Sequence, residues 1–345
     1  MSKYMRAAAT MQTLSRTAME EASRCGQTDT DLEHLLEALA IDAGAAGEAL
    51  RAQGVTLQAV RAAAQDQHAD QMRAIGVTVP MPEPGAITFD QTHGYKWTPR
   101  AQAVFSRVEK NDKPRALRDT SAAVLRELVA EPSGMITGLM TRLGASPDAI
   151  LAHLDQADAA DPGRGIVQQP PVPRVPESLI SPGQTWARRH AFVPTDPAEV
   201  WALLADPARM PDWDPVAGSV DLPAEPSPAR PGATWSTRPP HSHPDGKPLR
   251  MREPYRRREV RLAVAEEPRR IAWSMRHPDA KHPNAQRLEI DLAPAPGGTL
   301  LTATIRFWPR GGWRRAATWP LRPLRRLIMW VHLWNVAGGI GRQFR

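Results

Sequence analysis

A pattern of short amphipathic helices early in the chain returns, without a gap, 90 residues later. Thr30 falls on Thr120, Leu35 on Leu125, Glu37 on Glu127 and Leu39 on Val129. Further along, Leu50 falls on Met140, Gly54 on Gly144 and Val60 on Ile150. A register held across three successive helices means two copies of one helical unit, because each copy alone buries too little apolar surface. The first copy reads as a helix from Ala7 to Arg24, stopped at Cys25-Gly26. A second helix follows, with Thr30 as N-cap and Glu33 three positions later, the spacing of a capping box. A third ends at Gly54, and a fourth runs from Val55 through Ala64. The segment from Asp66 to Trp97 holds Pro80, Pro82 and Pro84 and reads mostly as loop. The second copy opens at Thr98-Pro99-Arg100, an N-cap followed by proline at the first helical position.

The period changes after residues 158–183, a linker that contains Pro162, Pro170, Pro171, Pro173, Pro176 and Pro182. Beyond it, Gln184–Val193 reads as a strand, and Asp196-Pro197 caps a helix that runs to Ala205. Glu259–Ala265, Arg270–His277, Gln286–Leu292 and Thr299–Phe307 alternate as strands do. The last two are joined by a Pro294–Gly298 loop, and a long helix from about Trp319 to Ala337 closes the chain. Charge divides at the same place. Residues 1–165 carry 17 Lys+Arg against 21 Asp+Glu, a net of −4, while residues 166–345 carry 27 against 16, a net of +11. Ten of the 11 tryptophans lie after residue 185. Two units of different kind are expected: residues 1–157 all-α, and residues 184–345 α+β. The single cysteine, Cys25, excludes an intrachain disulfide and any Cys-cluster metal site. Residues 1–15 lack the apolar core of a signal peptide, and Leu327–Ile340 is too short to span a bilayer, so a cytoplasmic location is expected.

The segment Thr30-Asp31-Leu32-Glu33-His34-Leu35-Leu36, the tandem duplication and the Leu50–Val55 turn together resemble the N-terminal Clp-repeat domain of Clp unfoldases. The likeness spans residues 1–157. The second copy departs from it, with Ala122, Ala123 and Val124 where Leu32, Glu33 and His34 stand. The resemblance implies a domain that recognises proteins or peptides, with Clp protease components or their substrates as partners. No Gly-x-x-x-x-Gly-Lys-Ser/Thr loop occurs in the sequence, and the only Gly-Lys pair is Gly246-Lys247, so the motor of those unfoldases is not expected. The segments Pro194–Asp206 and Met210-Pro211-Asp212-Trp213-Asp214 resemble START-like (SRPBCC) proteins, which include polyketide cyclases and dehydrases. That resemblance implies a helix-grip fold, with a curved antiparallel sheet around the terminal helix and an apolar cavity between them.

Alternation places candidate cavity residues on one face of each strand: Trp273, Met275 and His277, then Leu288 and Ile290, then Ile305 and Phe307. On the terminal helix, Leu327, Val331 and Trp334 recur at i, i+4 and i+7. The same residues could equally be packed core. His277 is the weak catalytic candidate, an ionisable group on an otherwise apolar face; the competing reading is a solvated strand end. His241, His243, His277 and His282 lack metal-ligand spacing, so no metal and no cofactor are expected. His34 reads as a packed or capping residue. The stretch Trp308–Arg326 interleaves tryptophans with Arg310, Arg314, Arg315, Arg322, Arg325 and Arg326, which suggests a peripheral contact with an anionic membrane. The competing reading is a solvated loop whose arginine stems cover tryptophan rings. Nucleic acid is not expected, since no nucleic-acid fold is recognisable. The sequence thus points to a non-catalytic two-module binding protein: an adaptor or decoy related to Clp proteolysis joined to a hydrophobic-ligand domain. The alternative is a polyketide cyclase/aromatase-like enzyme.

Overall fold

A computed structural model of the chain describes residues 3–77, 85–87, 94–111, 119–160, 185–222, 230–242, 246–281, 285–308 and 322–345. The chain divides into two compact units, Met1–Gln169 and Pro170–Arg345. Most of the proline-rich stretch read as a linker lies outside the described residues.

The first unit is helical. Its described helices are α1 (Lys3–Arg24), α2 (Leu32–Ala40), α3 (Ala45–Ala52), α4 (Leu57–Ala74), α5 (Pro99–Asn111), α6 (Thr120–Val129), α7 (Met135–Leu143) and α8 (Pro147–Ala160). The 90-residue offset reappears in backbone geometry. The Val55 N–H donates to Leu50 O and the Ala145 N–H to Met140 O, both at 3.0 Å, across Gly54 (φ 73°) and Gly144 (φ 65°). These left-handed glycines close α3 and α7 alike. The next helix then begins on Thr56 in one copy and Ser146 in the other, each hydroxyl accepting from the N–H three residues on. The expected α4 boundary at Ala64 falls short by about three turns: the helix runs on through polar residues, of which Gln67 is buried.

The N-cap of α2 is Asp31, not Thr30. Asp31 Oδ1 accepts from the Leu32 N–H at 2.8 Å, and the Asp31 N–H donates to His34 Nδ1 at 3.1 Å. His34, not Glu33, therefore closes the capping box. Thr30 is taken up instead in a short parallel pairing of β1 (Asp29–Thr30) with β2 (Lys96–Trp97), within the stretch read as loop. Asp31 also accepts from Thr98 Oγ1 at 2.7 Å and from Arg100, so one carboxylate fixes the starts of both α2 and α5. Burial pushes the His34 pKa down to about 4, which keeps the ring neutral and its Nδ1 lone pair available. Every residue of α2 is buried, including Glu33 and Glu37. Glu21 pairs with Arg61 at 2.5 Å beneath them. Burial, reinforced by Glu21, pushes Glu37 up to about 8; burial alone carries most of the rise of Glu33 to about 7.

The second unit is a seven-stranded antiparallel sheet in the order β3-β9-β8-β7-β6-β5-β4. Its strands are β3 (Thr185–Val193), β4 (Ser219–Asp221), β5 (Thr234–Arg238), β6 (Arg258–Glu266), β7 (Arg270–Arg276), β8 (Ala285–Ala295) and β9 (Gly298–Trp308). Between β3 and β4 lie α9 (Pro197–Ala205) and α10 (Met210–Trp213); α11 (Arg322–Arg342) ends the chain. One register row, Leu262–Trp273–Leu288–Ile305–Ala187, crosses five strands, and every residue in it is buried. On the other face, Glu289 is buried beneath Arg270, Arg287 and Arg306. This unit is an antiparallel sheet with a long helix at its C-terminus, the element order that the resemblance to START-like proteins implies.

Helix α11 carries two apolar stripes, and the one that faces the core is not Leu327–Val331–Trp334. Met329, Leu333, Val336 and Ile340 are buried, whereas Leu327 and Trp334 are half-covered and Val331 is exposed. Gly339 decides the rotation. A Cβ there would lie 2.5 Å from the Trp213 carbonyl oxygen, so only the glycine side of the helix can approach α10 this closely. No described helix is long and apolar enough to cross a membrane.

Two outcomes follow from this packing. Leu333→Ala should destabilise the sheet unit by about 2–5 kcal/mol, while Val331→Ser should stay within about 0.5 kcal/mol; denaturant unfolding of each variant checks the rotation of α11. In the helical unit, a carboxyl whose folded pKa exceeds its ordinary 4.5 holds its proton more tightly when folded. Its contribution is full below pH 4.5 and is lost as the pH rises through about 8. Glu37→Gln should flatten that alkaline loss, read as slower hydrogen exchange of the α2 amides at pH 8 than in the wild type.

Candidate functional site

The inner face of the sheet is mostly apolar; at its edge Arg189 of β3 stacks on Trp330 of α11, and a second arginine lies deeper. Strand β6 alternates Arg258, Val260 and Leu262 toward the core, so Arg258 enters the interior by the same period that buries its neighbours. Its guanidinium donates to Asp214 Oδ2 at 2.6 Å and, through Nε, to Thr237 Oγ1 at 3.0 Å. Asp214 directly follows α10 and is fully buried. Its Oδ1 accepts from the Val216 N–H at 3.1 Å. Burial by itself would raise the Asp214 pKa, but Arg258, His332 and the Val216 N–H outweigh it and hold the carboxyl below 3.8. His332, on α11, faces the same pair. Burial pushes its pKa below 6.5, opposed by Asp214 and aided by Arg258, which favours the neutral ring.

Two indoles adjoin this cluster with unmet donors. Trp213 and Trp235 are both more than nine-tenths buried, and neither Nε1–H has a hydrogen-bond acceptor. Trp213 packs on Trp273 with ring centroids 5.2 Å apart. A buried donor without an acceptor costs free energy of about 1–3 kcal/mol. The interior therefore presents an apolar wall, a neutralised ion pair and two N–H groups that an acceptor could satisfy.

Of the residues singled out from the sequence, Trp273, Met275, Leu288, Ile290 and Ile305 come together in this core. Phe307 packs at its margin, with the Arg325 guanidinium 5.1 Å from its ring centroid. Val331 points away, for the reason given above. His277 lies just past the end of β7. Its Nδ1–H donates to the Arg257 carbonyl at 3.2 Å, and its ring meets Tyr255 edge-on at 5.6 Å. Among the described residues no carboxylate contacts it; Asp279 pairs with Arg257 instead. Arg314, Arg315, His243 and His282 lie outside the described residues, and so does the side chain of Arg322. Among the described residues no group of three or more His, Cys, Asp and Glu could hold a metal. A cleft of about 460 Å³ opens on the opposite, outer face of the sheet, beside Thr234, Arg261, Ser274, Arg276 and Trp308. Sequence reasoning missed Arg258, Thr237, Trp235 and His332. The alternation of Arg258 with Val260 and Leu262 was the available signal, masked because Arg258 ends a run of three arginines.

Removing Asp214 should leave the Arg258 charge buried and uncompensated, so Asp214→Ala should cost about 3–5 kcal/mol, measured by denaturant unfolding. Asp214 and His332 both have folded pKa values below their ordinary ones. Their contributions are present above pH 3.8 and pH 6.5 respectively and are lost as the pH falls through the folded values. Stability of the sheet unit should thus begin to fall below about pH 6.5. Burial holds His190 and His277 below 6.5 as well, so His332→Gln should reduce that first phase without abolishing it.

Comparisons with known proteins find likenesses over part of the chain. Residues 186–328 match the family model described as polyketide cyclase / dehydrase and lipid transport. No curated protein matches the chain. Among solved structures, a protein of Chromobacterium violaceum shares 19% identity over 46% of this chain and 97% of its own, with a TM-score of 0.32. A Polyketide_cyc-like protein of Corynebacterium glutamicum shares 20% identity over 47% of this chain and 93% of its own, also with a TM-score of 0.32. A protein of Mycobacterium smegmatis shares 16% identity over 46% and 89%, with a TM-score of 0.31.

Proposed function

We propose that the sheet unit binds a hydrophobic small molecule in its interior and anchors it by a hydrogen-bond acceptor. The carrying observation is the pair of buried indole donors, Trp213 and Trp235, without acceptors beside the neutralised Asp214–Arg258 pair. A carbonyl, ether or carboxylate oxygen on the ligand would accept from them. Trp273, Met275, Leu288, Ile290 and Ile305 would contact its apolar body, the pattern of small-molecule sites generally. The lipid-transport description of the matching family supports the same ligand class. The helical unit, on this reading, recognises a protein or peptide linked to Clp proteolysis, as an adaptor or a decoy. Its support is the resemblance of Thr30–Leu36 together with a geometry repeated over 90 residues.

The enzymatic alternative, a cyclase/aromatase-like activity in the same interior, rests on His332 rather than His277. His332 shares the core with Asp214 and Arg258, whereas His277 braces a strand end.

Binding of 8-anilino-1-naphthalenesulfonate, an apolar probe with acceptor oxygens, tests the first reading. The full chain should bind it with enhanced fluorescence. Trp235→Phe, which keeps the ring and removes the N–H, should weaken binding about fivefold to tenfold, the worth of one hydrogen bond. Unchanged affinity in that variant would sink the anchoring role.

A further inference from the structure

We propose that the cleft on the outer face of the sheet binds a flat organic anion of single charge, of the aromatic carboxylate class. Alternation makes the cleft. Along β6 and β7 the core takes Val260, Leu262, Trp273 and Met275, so Glu259, Arg261, Ser274 and Arg276 project to the other side. Register sets these residues in two neighbouring rows. One runs Thr234–Arg261–Ser274–Arg287 across β5 to β8. In the other, Glu259 lies opposite Arg276, and Ala285 opposite Trp308. Ser274 and Ala285 are short side chains with long ones around them, and the depression of about 460 Å³ forms over them. Arg261 stands at one end and Trp308 at the other, three strands apart, which puts about 14 Å between their backbones.

Charge fixes how many negative groups the occupant carries. Arg276 donates to Glu259 at 3.0 and 2.7 Å, so that pair is neutral. Arg287 faces Glu289 at 3.7 Å, a carboxylate it shares with Arg270 and Arg306. Arg261 is exposed, and among the described residues no carboxylate pairs with it. One guanidinium is thus left to the cleft, and a guanidinium takes a carboxylate through two parallel hydrogen bonds. The Thr234 and Ser274 hydroxyls, on either side of Arg261 in its row, can donate to the same group. Surface chooses the body of the ligand. Ala285 and the half-covered Trp308 ring present carbon, and an indole face favours a stacked ring over a flexible chain. A nucleotide would bring a doubly charged phosphate to a single free guanidinium. The cleft lies across the sheet from Trp213, Trp235 and the Arg258–Asp214 pair and depends on none of them.

Isothermal titration calorimetry of the full chain with biphenyl-4-carboxylate tests the proposal. The anion should bind, and biphenyl-4-carboxamide, its neutral analogue, should bind about tenfold more weakly. Arg261→Gln should cost about tenfold in affinity for the carboxylate and leave the amide unchanged. Trp308→Leu, which keeps carbon surface but removes the ring, should cost about fivefold for both. Ala285→Phe, a larger side chain on the floor of the cleft, should abolish the Arg261-dependent binding. Trp235→Phe, a change in the interior, should leave that binding as in the wild type. Arg261 and Ala285 are exposed, and unchanged circular dichroism spectra would confirm that these variants fold. Absence of binding overturns the proposal, and so does wild-type affinity in Arg261→Gln or Ala285→Phe. A loss in Trp235→Phe without one in Arg261→Gln would also overturn it, by placing the anion in the interior. Decanoate bound as tightly as biphenyl-4-carboxylate would overturn the aromatic class.

Discussion

The ion pair of Arg258 with Asp214 is the interaction on which the sheet unit turns. It joins the chain just after α10 to the inner face of β6, beneath the terminal helix. Desolvating two charges costs several kcal/mol each, and attraction offsets that cost only when the remaining polar atoms are also bonded. Here Thr237 takes the guanidinium Nε–H and the Val216 N–H takes the second carboxylate oxygen. The pair therefore specifies position more than it adds stability. An apolar pair of similar volume could fill the space, but it would not dictate which residue of the turn faces which residue of the strand. Trp213, the residue before Asp214, is set by the same constraint: it stacks on Trp273, and its backbone receives Gly339 of α11.

That chain of contacts explains how one helix serves two faces. An α-helix with apolar residues at two angular positions has no intrinsic preference for burying either. The glycine at 339 removes the degeneracy, since close approach to Trp213 is open only on its side. Once Met329, Leu333, Val336 and Ile340 turn inward, Leu324, Ile328 and Val331 must turn outward. The exposed stripe is thus a geometric consequence of the buried one, and the ion pair that seats α10 also determines what α11 shows to solvent.

The legible parts of the sequence were those governed by period. The helical repeat, the alternating strands and the apolar inner face all follow from spacings of about 3.6 and 2 residues, and Trp273, Leu288 and Ile305 meet in one row as alternation requires. Period cannot choose between two stripes on one helix, so Val331 was assigned to the wrong side. Nor does it announce a charged residue inside, so Arg258 was hidden among Arg256 and Arg257 despite having the same phase as Val260. Local capping signals misled by one position for a similar reason. Thr30 and Asp31 are both good N-caps, and the choice fell to Asp31 because Thr98 and Arg100, nearly 70 residues away, bond to its carboxylate.

The opposite net charges of the two halves also acquire a local meaning. The formal −4 of the helical half counts Glu33 and Glu37 as ionised, yet their pKa values of about 7 and about 8 leave both substantially protonated near neutral pH. Part of that half's acidity is therefore stored as buried neutral carboxyls and contributes little field at the surface. The basic half behaves in the reverse way. Its carboxylates pair where they are buried, Asp214 with Arg258 and Glu289 with Arg270, and they thereby neutralise arginines on both faces of the sheet. The last 45 residues contain no Asp or Glu, so an arginine there that pairs must reach outside the segment, as Arg306 reaches Glu289 of β8.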